Sequence, residues 1–428
     1  MSRLDVHLHE KRVGRLERTD QGRLRFSYLP HVEAGQQPPL SLSLPVRPEP
    51  FDDDECRGYF SGLLPEGGFL RGVARAFGVS ASNAFSVLNA IGGECAGAVS
   101  LAPPEAERPT PGGPRWLDSP KLYELLAESP EHAMAVGLDG EGLRLSLAGA
   151  QEKLPVMFGG GRIGITAGDP PSTHIVKLPI AGYADTVANE SYCLALARAG
   201  ELDAAEAGAR IASPTAYVAE PPEGAIPYLQ VTRYDRTPED PVRRIHQEDL
   251  CQALGVAPEF KYEAEGGPGV ADCIGLLERH SAVPAKDRLA FADALLFNLI
   301  IGNHDAHSKN YSLILEGDSA PRLAPLYDLL STSIYPGLPR KLAMGLGGEN
   351  RPDYFRQRHV ERLAADLGMR PTALRRRAGD LCDRVDAALS AADEQVAGDF
   401  LDGRTHERIR ARVAAGLRLV RAAVAPAG

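Results

Sequence analysis

The chain has 428 residues, 43% of them hydrophobic, and a formal net charge of -10. That length accommodates two or three ordinary domains with sizeable cores, and the acidic balance excludes a nucleic-acid binder that works by bulk electrostatics, leaving only local basic contacts. The six cysteines (Cys56, Cys95, Cys193, Cys251, Cys273, Cys382) form no C-x-x-C pair and no run nears the ~20 apolar residues of a membrane helix, so reduced, buried thiols are expected rather than a zinc site, a disulfide framework or a membrane span.

The start, Met1-Ser2-Arg3-Leu4-Asp5-Val6-His7, lacks the basic-then-apolar layout of a signal peptide, so a cytoplasmic protein is expected. Residues 1–102 read as one compact α/β module. Arg23 to Leu29 and Leu40 to Pro45 alternate as strands do, and Phe69 to Phe77 has helical spacing. The Pro/Gly-rich stretch Pro103 to Pro114 reads as a boundary or exposed connector. Residues 116–234 read as a β-rich lobe with one clear helix, Asp185 to Ala199. Residues 235–428 read as a helical lobe, with helices at Asp287 to Ile301, Val360 to Leu367, Thr372 to Leu389 and Thr405 to Val424. The fold class is therefore α+β, a small module followed by two lobes outlined like a protein kinase.

Chemistry-bearing segments follow in chain order. Leu145 to Lys153 combines small residues with a hydroxyl and a lysine, as a loop covering phosphates requires, although it matches neither standard glycine-rich phosphate pattern and an ordinary turn between strands fits as well. Thr173-His174-Ile175-Val176-Lys177-Leu178-Pro179 ends an apolar run on Lys177, where an unpaired ammonium is costly. Glu190 in the following helix is its candidate protein partner, against the alternative of a snorkelling edge lysine.

The most informative segment is Ile301-Gly302-Asn303-His304-Asp305-Ala306-His307-Ser308-Lys309-Asn310, directly after an apolar helix. It presents Asp305 and Asn310 at a shared cleft, the pairing phosphoryl transfer uses: an aspartate for the attacking hydroxyl and an asparagine oxygen for Mg²⁺. Lys309 lies between them as a charge for the transferred phosphoryl. Two alternatives stand beside this: a polar helix cap in which Asn303 or Asp305 bonds backbone N–H groups, and a His/Asp metal cluster built on His304, Asp305 and His307. Downstream, Asp328 in Leu326-Tyr327-Asp328-Leu329 ends an apolar run and is placed to ligate a cation.

Taken in order, these segments resemble the HipA family, the kinase toxins of bacterial type II toxin–antitoxin systems. Ser146 to Lys153 is similar to the family's S-x-A-G-A-Q-E-K segment, Thr173 to Pro179 to its T-H-I-x-K-L-P segment, and Ile301 to Asn310 to its I-G-x-x-D-x-H-x-K-N loop. Tyr327-Asp328 matches the metal-binding motif, and Phe60-Ser61-Gly62-Leu63-Leu64-Pro65-Glu66-Gly67 resembles part of the N-terminal module. The resemblance implies an ATP- and Mg²⁺-dependent serine/threonine protein kinase with Asp305 as proton acceptor, Lys309 assisting it, Asn310 and Asp328 as metal ligands, and Lys177 on the α/β-phosphates. It implies that Ala148, Gly149, Ala150, Gln151, Glu152 and Lys153 cover the nucleotide and that Thr232, Arg233 and Tyr234 lie beside the adenine. Tyr327, His307, Ser308, Lys309 and Asn310 would complete the pocket, and Ser146 matches the serine that the family phosphorylates on itself.

The resemblance also implies a HipB-type helix-turn-helix antitoxin as partner, operator DNA reached through that complex, and an aminoacyl-tRNA synthetase as substrate. Arg370, Arg375, Arg376 and Arg377 form a tight basic group, either a phosphate contact or a solvated helix face balanced by Asp380 and Asp383. Two other functions stay open: a weakly active kinase-fold corepressor working in a DNA-bound antitoxin complex, and a small-molecule kinase.

Overall fold

The computed structural model describes residues 2–32, 38–104, 113–127, 146–166, 170–212, 224–239, 241–316, 319–397 and 403–425. Most of the connector expected at Pro103 to Pro114 lies outside the described residues, as does Leu145.

The N-terminal module is a four-stranded antiparallel sheet in the order β3-β2-β1-β4, from β1 (Ser2–Leu8), β2 (Lys11–Arg18), β3 (Leu24–Tyr28) and β4 (Val99–Ala102). Three helices cover it: α1 (Asp53–Gly62), α2 (Gly67–Ala76) and α3 (Ala84–Ile91). Helix α1 starts where the Asp52 carboxylate accepts the Asp54 and Glu55 N–H groups and Glu55 returns to the Asp52 N–H, a capping box that satisfies otherwise orphaned donors. Tyr59, Phe60, Phe69 and Leu88 bury their side chains against Leu4, Leu16 and Phe26 of the sheet.

Leu40 to Pro45, expected as a strand, is instead a tight turn closed by a Ser41–Leu44 bridge. Its alternation has another cause. Leu40 and Leu44 are buried, while the hydroxyls of Ser41 and Ser43 reach across to the carboxylate of Glu248 and the carbonyl of Gln252.

The second sheet has six strands, all paired antiparallel, in the order β5-β7-β6-β8-β10-β9. They are β5 (Arg115–Leu117), β6 (Lys153–Gly159), β7 (Arg162–Ile165), β8 (His174–Lys177), β9 (Ala207–Ala212) and β10 (Ile226–Thr232), with α4 (Ser119–Ala127) and α5 (Thr186–Ala199) inserted along the chain. Val156, Ile163 and Val176 of this sheet join the same apolar cluster as the N-terminal module. Module and β-rich lobe are thus one packed unit.

The helical lobe begins with β11 (His246–Asp249), which pairs with β12 (Ser312–Leu315) and through it β13 (Arg322–Leu323). Its helices are α6 (Leu250–Ala253), α7 (Val270–His280), α8 (Pro284–Ile301), α9 (Gln357–Asp366), α10 (Pro371–Gln395) and α11 (Gly403–Val424). Helix α8 is buried along Phe291 to Ile301, as expected of a helix apolar on all sides, and α5 shares its core. All six cysteines are free and buried. No helix among the described residues is long and apolar enough to cross a membrane.

Candidate active site

Helix α8 ends on Gly302 in the left-handed conformation, φ 72°. A Cβ there would lie 2.2 Å from Ser333 Oγ and 2.4 Å from Arg412 Nε, so both backbone and space demand glycine. The chain then turns out of the core and carries Asn303 to Asn310 as a loop. Asn303 organises it: Oδ1 accepts the Asp305 N–H at 3.2 Å, and Nδ2 donates to the Asp328 carbonyl at 3.1 Å and to Asn298 Oδ1 at 2.9 Å. Asn303 thus bonds a backbone N–H within the loop and caps no helix end, and the same amide ties together the backbones of the two aspartates.

Asp305 is exposed along one edge and accepts a hydrogen bond from the Tyr262 hydroxyl at 2.8 Å. Protein around its other sides removes hydration and raises its pKa above the ordinary carboxylate range, while the Tyr262 hydroxyl and Lys261 oppose the rise. The sequence offered no signal for Tyr262, which arrives from a segment 43 positions away.

Lys177, at the end of β8, is buried between Glu190 of α5, at 2.6 Å, and Asp328. Burial by itself would lower the lysine pKa, but the two carboxylates outweigh it and hold the ammonium charged; Asp328 is likewise kept ionised against burial by Lys177 and Lys153. Asp328 sits at φ 52°, a left-handed conformation uncommon outside glycine, which turns its side chain back toward Lys177. Lys153 of β6 stands directly opposite Lys177 in the strand register. Two ammoniums on one face of a sheet repel, and burial depresses the Lys153 pKa to about 8, so this face is built for an anion.

The segment before β6 closes over these lysines. Lys153 Nζ donates to the Ala148 carbonyl, Gln151 Nε2 donates to the Leu178 carbonyl at 2.7 Å, and the Leu178 N–H donates to the Glu152 carbonyl at 3.0 Å. Gly149 has φ 107°, and a Cβ on it would lie 2.7 Å from Lys153 Nζ. Its carbonyl accepts the Glu66 N–H at 2.9 Å, so the N-terminal module holds the segment from outside with Ala150 beside it. Ser146 is completely buried: its hydroxyl donates to the Leu63 carbonyl at 2.7 Å and its N–H to the Glu94 carbonyl at 2.7 Å.

Three expected site residues are turned away from this cleft. Lys309, expected beside the transferred phosphoryl, directs its ammonium to Asp249 at 2.8 Å and Glu66 at 3.7 Å, because those carboxylates compensate its burial. Ser308 is fully buried against Cys251 Sγ, at 2.9 Å, and the Lys261 carbonyl. Arg233, expected beside an adenine, instead forks onto Asp235 at 2.9 and 2.7 Å and reaches Ser172 and Glu94, while its N–H is taken by the Thr173 carbonyl. Its guanidinium therefore joins the module to the start of the helical lobe.

The remaining expected residues gather around the opening. Tyr234 stacks on Tyr327 with centroids 5.9 Å apart, and Thr232 ends β10 beside His174. The Tyr327 hydroxyl donates to the Lys309 carbonyl at 2.6 Å, which draws Asp328 and Asn310 together, each one residue further along. His307 packs edge-on to Tyr262, and burial lowers its pKa to about 3, so it is neutral. Among the described residues no group of three His, Cys, Asp or Glu side chains is arranged to hold a metal, which removes the His304/Asp305/His307 cluster. Asn310 and Asp328 supply two hard oxygen donors, as Mg²⁺ sites do when phosphates and waters complete the shell.

Of the arginine group, Arg375 pairs with Glu361 at 2.7 Å and Arg377 with Asp293 at 2.6 Å, within the helical lobe. Asp383, expected to balance them, pairs with Arg421 at 2.9 Å.

Residues 145–389 match the HipA-like C-terminal domain and residues 4–102 the HipA N-terminal domain. The chain belongs to the HipA family. A relative described as "Putative kinase Y4mE", from Sinorhizobium fredii, is 39% identical over 98% of this chain and 99% of its own length. The serine/threonine-protein kinase toxin HipA of Shewanella oneidensis is 30% identical over 77% of this chain and 75% of its own. In structure, HipA from the Shewanella oneidensis complex of HipA, HipB and operator DNA superposes with a TM-score of 0.80 at 26% identity, covering 97% of this chain and 96% of that one. This HipA-family chain has the α+β kinase-like fold and is a serine/threonine protein kinase.

Proposed function

We propose that this kinase uses ATP and Mg²⁺, with Asp305 accepting the proton of a serine or threonine hydroxyl and Asn310 and Asp328 holding the metal. Lys177 pairs with the α/β-phosphates, Lys153 adds a second cation beneath the covering segment from Ala148, and Tyr234 and Tyr327 flank the base. The carrying observation is that Asn303 couples Asp305 to Asp328, while Lys177 bridges Asp328 to Glu190. Lys309 acts here by supporting the loop from below rather than by touching the phosphoryl. Bound Mg²⁺ supplies charge neutralisation at the phosphates; Asp305 takes the proton, and the lysines orient the nucleotide.

The biological role we infer is that of a toxin held by a HipB-like helix-turn-helix antitoxin on operator DNA. The solved HipA relative bound to HipB and its operator supports this partner. An aminoacyl-tRNA synthetase as target follows from the family resemblance alone. Ser146 is the candidate autophosphorylation site. Its hydroxyl donates to the Leu63 carbonyl and its N–H to the Glu94 carbonyl, both in the N-terminal module, a buried setting that accepts a donor and repels a phosphate of about -1.5 to -2 charges. Phosphorylation therefore expels the covering segment and ends nucleotide binding. Incubation with labelled ATP and Mg²⁺ tests the whole proposal: label on Ser146 or on a synthetase supports it, and transfer that persists in Asp305→Ala removes Asp305 as the base.

A further inference from the structure

None of the roles above uses the side chain of Glu94, which lies in the N-terminal module just before β4. Its carboxylate is wholly buried. Oε1 accepts the Ser172 hydroxyl at 2.7 Å and N–H at 3.2 Å, Arg236 Nη2 at 2.9 Å and Arg233 Nη1 at 3.4 Å. Arg244 stands 4.0 Å from Oε2. Burial alone would raise the Glu94 pKa, but Arg244, Arg236 and Arg233 outweigh it and keep the carboxylate ionised. The Glu94 carbonyl has a separate task, since it accepts the Ser146 N–H at 2.7 Å.

Residues 95–97 extend the same seam. The Cys95 carbonyl accepts Arg233 Nη2 at 3.4 Å, the Gly97 N–H donates to Asp235 Oδ2 at 2.7 Å, and the Gly97 carbonyl accepts Arg236 Nη1 at 3.2 Å. Gly97 has φ 70°, and a Cβ on it would lie 2.6 Å from the backbone nitrogen of Gln247, so the module meets β11 backbone to backbone here. Gln247 Oε1 in turn accepts the Tyr234 hydroxyl. Arg233 separates Thr232 from Tyr234 in the chain, and its N–H is held by the Thr173 carbonyl at 3.0 Å. The module thus grips the backbone that carries both residues, and Tyr234 is the one that stacks on Tyr327 at the opening.

We propose that Glu94 is a positioning residue of the kinase: from the N-terminal module it fixes the chain from Thr232 to Tyr234 and so sets the base side of the nucleotide site. The inference rests on the reading that Tyr234 and Tyr327 flank the base of ATP. The physical reason is charge compensation. With Glu94 ionised, Arg233 and Arg236 divide two carboxylates, Glu94 and Asp235, between them. A neutral amide in its place leaves two buried guanidiniums competing for Asp235, and the linker shifts to relieve them. The carbonyl that holds Ser146 survives the same exchange, so the covering segment keeps its anchor.

The test compares ATP with ribose triphosphate, which carries the same phosphates and no base. Both are titrated calorimetrically into the full chain with Mg²⁺, and transfer from ATP is measured in parallel. The wild type is expected to favour ATP. Glu94→Gln is expected to lose about tenfold of that preference, with ribose triphosphate bound as before and KM for ATP raised more than kcat is lowered. Breaking a buried ion cluster endangers folding, so Ser172→Ala serves as a milder second variant. It removes one hydroxyl shared by Glu94 and Arg233 and is expected to lose about threefold in the same direction. A preference for ATP that survives both substitutions overturns the role of Glu94. Equal losses for the two ligands mark a loosening of the whole site and overturn it as well. A wild type that binds ATP no more tightly than ribose triphosphate overturns the base-side reading itself, and the inference falls with it.

Discussion

Lys177 and Lys309 are both buried ammoniums set between two carboxylates, yet their surroundings give them opposite uses. Around Lys177 the partners are Glu190, almost wholly buried, and Asp328, whose side chain keeps 36% exposure and opens to solvent. Around Lys309 both Asp249 and Glu66 are largely enclosed, at 8% and 15%. A cluster with one open carboxylate can exchange a protein contact for a metal or a phosphate. A closed cluster can only hold its elements together, and here those are the N-terminal module, β11 and the catalytic loop.

Substitutions at the two clusters can break this contrast. The largest effect is expected beside the open cluster: Asp305→Ala removes the base and lowers transfer from labelled ATP by about 10²–10⁴-fold. Asp328→Asn is expected to cost about 100-fold or more in the same assay, since metal-borne charge stabilisation amounts to several kcal/mol. Its denaturation midpoint should fall little, because Lys177 keeps Glu190. Asp249→Asn inverts the pattern. Breaking a buried pair costs about 3–5 kcal/mol, so the denaturation midpoint falls clearly and activity is lost only with the folded fraction. Equal thermal losses for Asp328→Asn and Asp249→Asn would erase the distinction.

The smallest effect concerns pH. Burial raises the Asp305 pKa, so the rate should drop on acidification at a higher pH than for an ordinary carboxylate, because the protonated group cannot accept a proton. The Tyr262 hydroxyl favours the charged form and opposes that rise. Tyr262→Phe should therefore move the acid limb of the pH–rate profile to higher pH, with the alkaline side unchanged. A limb that stays in place would show that the hydrogen bond is lost once substrate is bound.

The N-terminal module shows where sequence reading stopped. Phe60 to Gly67 stood out as a segment resembling the family, without a role. Folding gives Glu66 two lysine partners, Lys261 at 2.6 Å and Lys309 at 3.7 Å, and lets Leu63 and Gly62 offer carbonyls to Ser146 and Lys309. Those contacts join positions up to 247 residues apart, beyond any periodicity or spacing. The Leu40 to Pro45 run failed for a related reason: its serines alternate with leucines to reach Glu248 and Gln252, and not to line a sheet. Arg233 shows the same limit: its neighbours in sequence flank the cleft while its own side chain forks onto Asp235.

The sequence by itself determined the order of Ser146, Lys177, Glu190, Asp305, Asn310 and Asp328, the helical periods, and the apolar helix that delivers the catalytic loop. These are local properties: a 3.6-residue period, a glycine cap, a lysine ending an apolar run. Only the tertiary structure decided which lysine faces an open carboxylate and which a closed one, and that Asn303 joins the two aspartates. Those outcomes depend on burial and on charge compensation between distant segments, and both arise only when the chain packs.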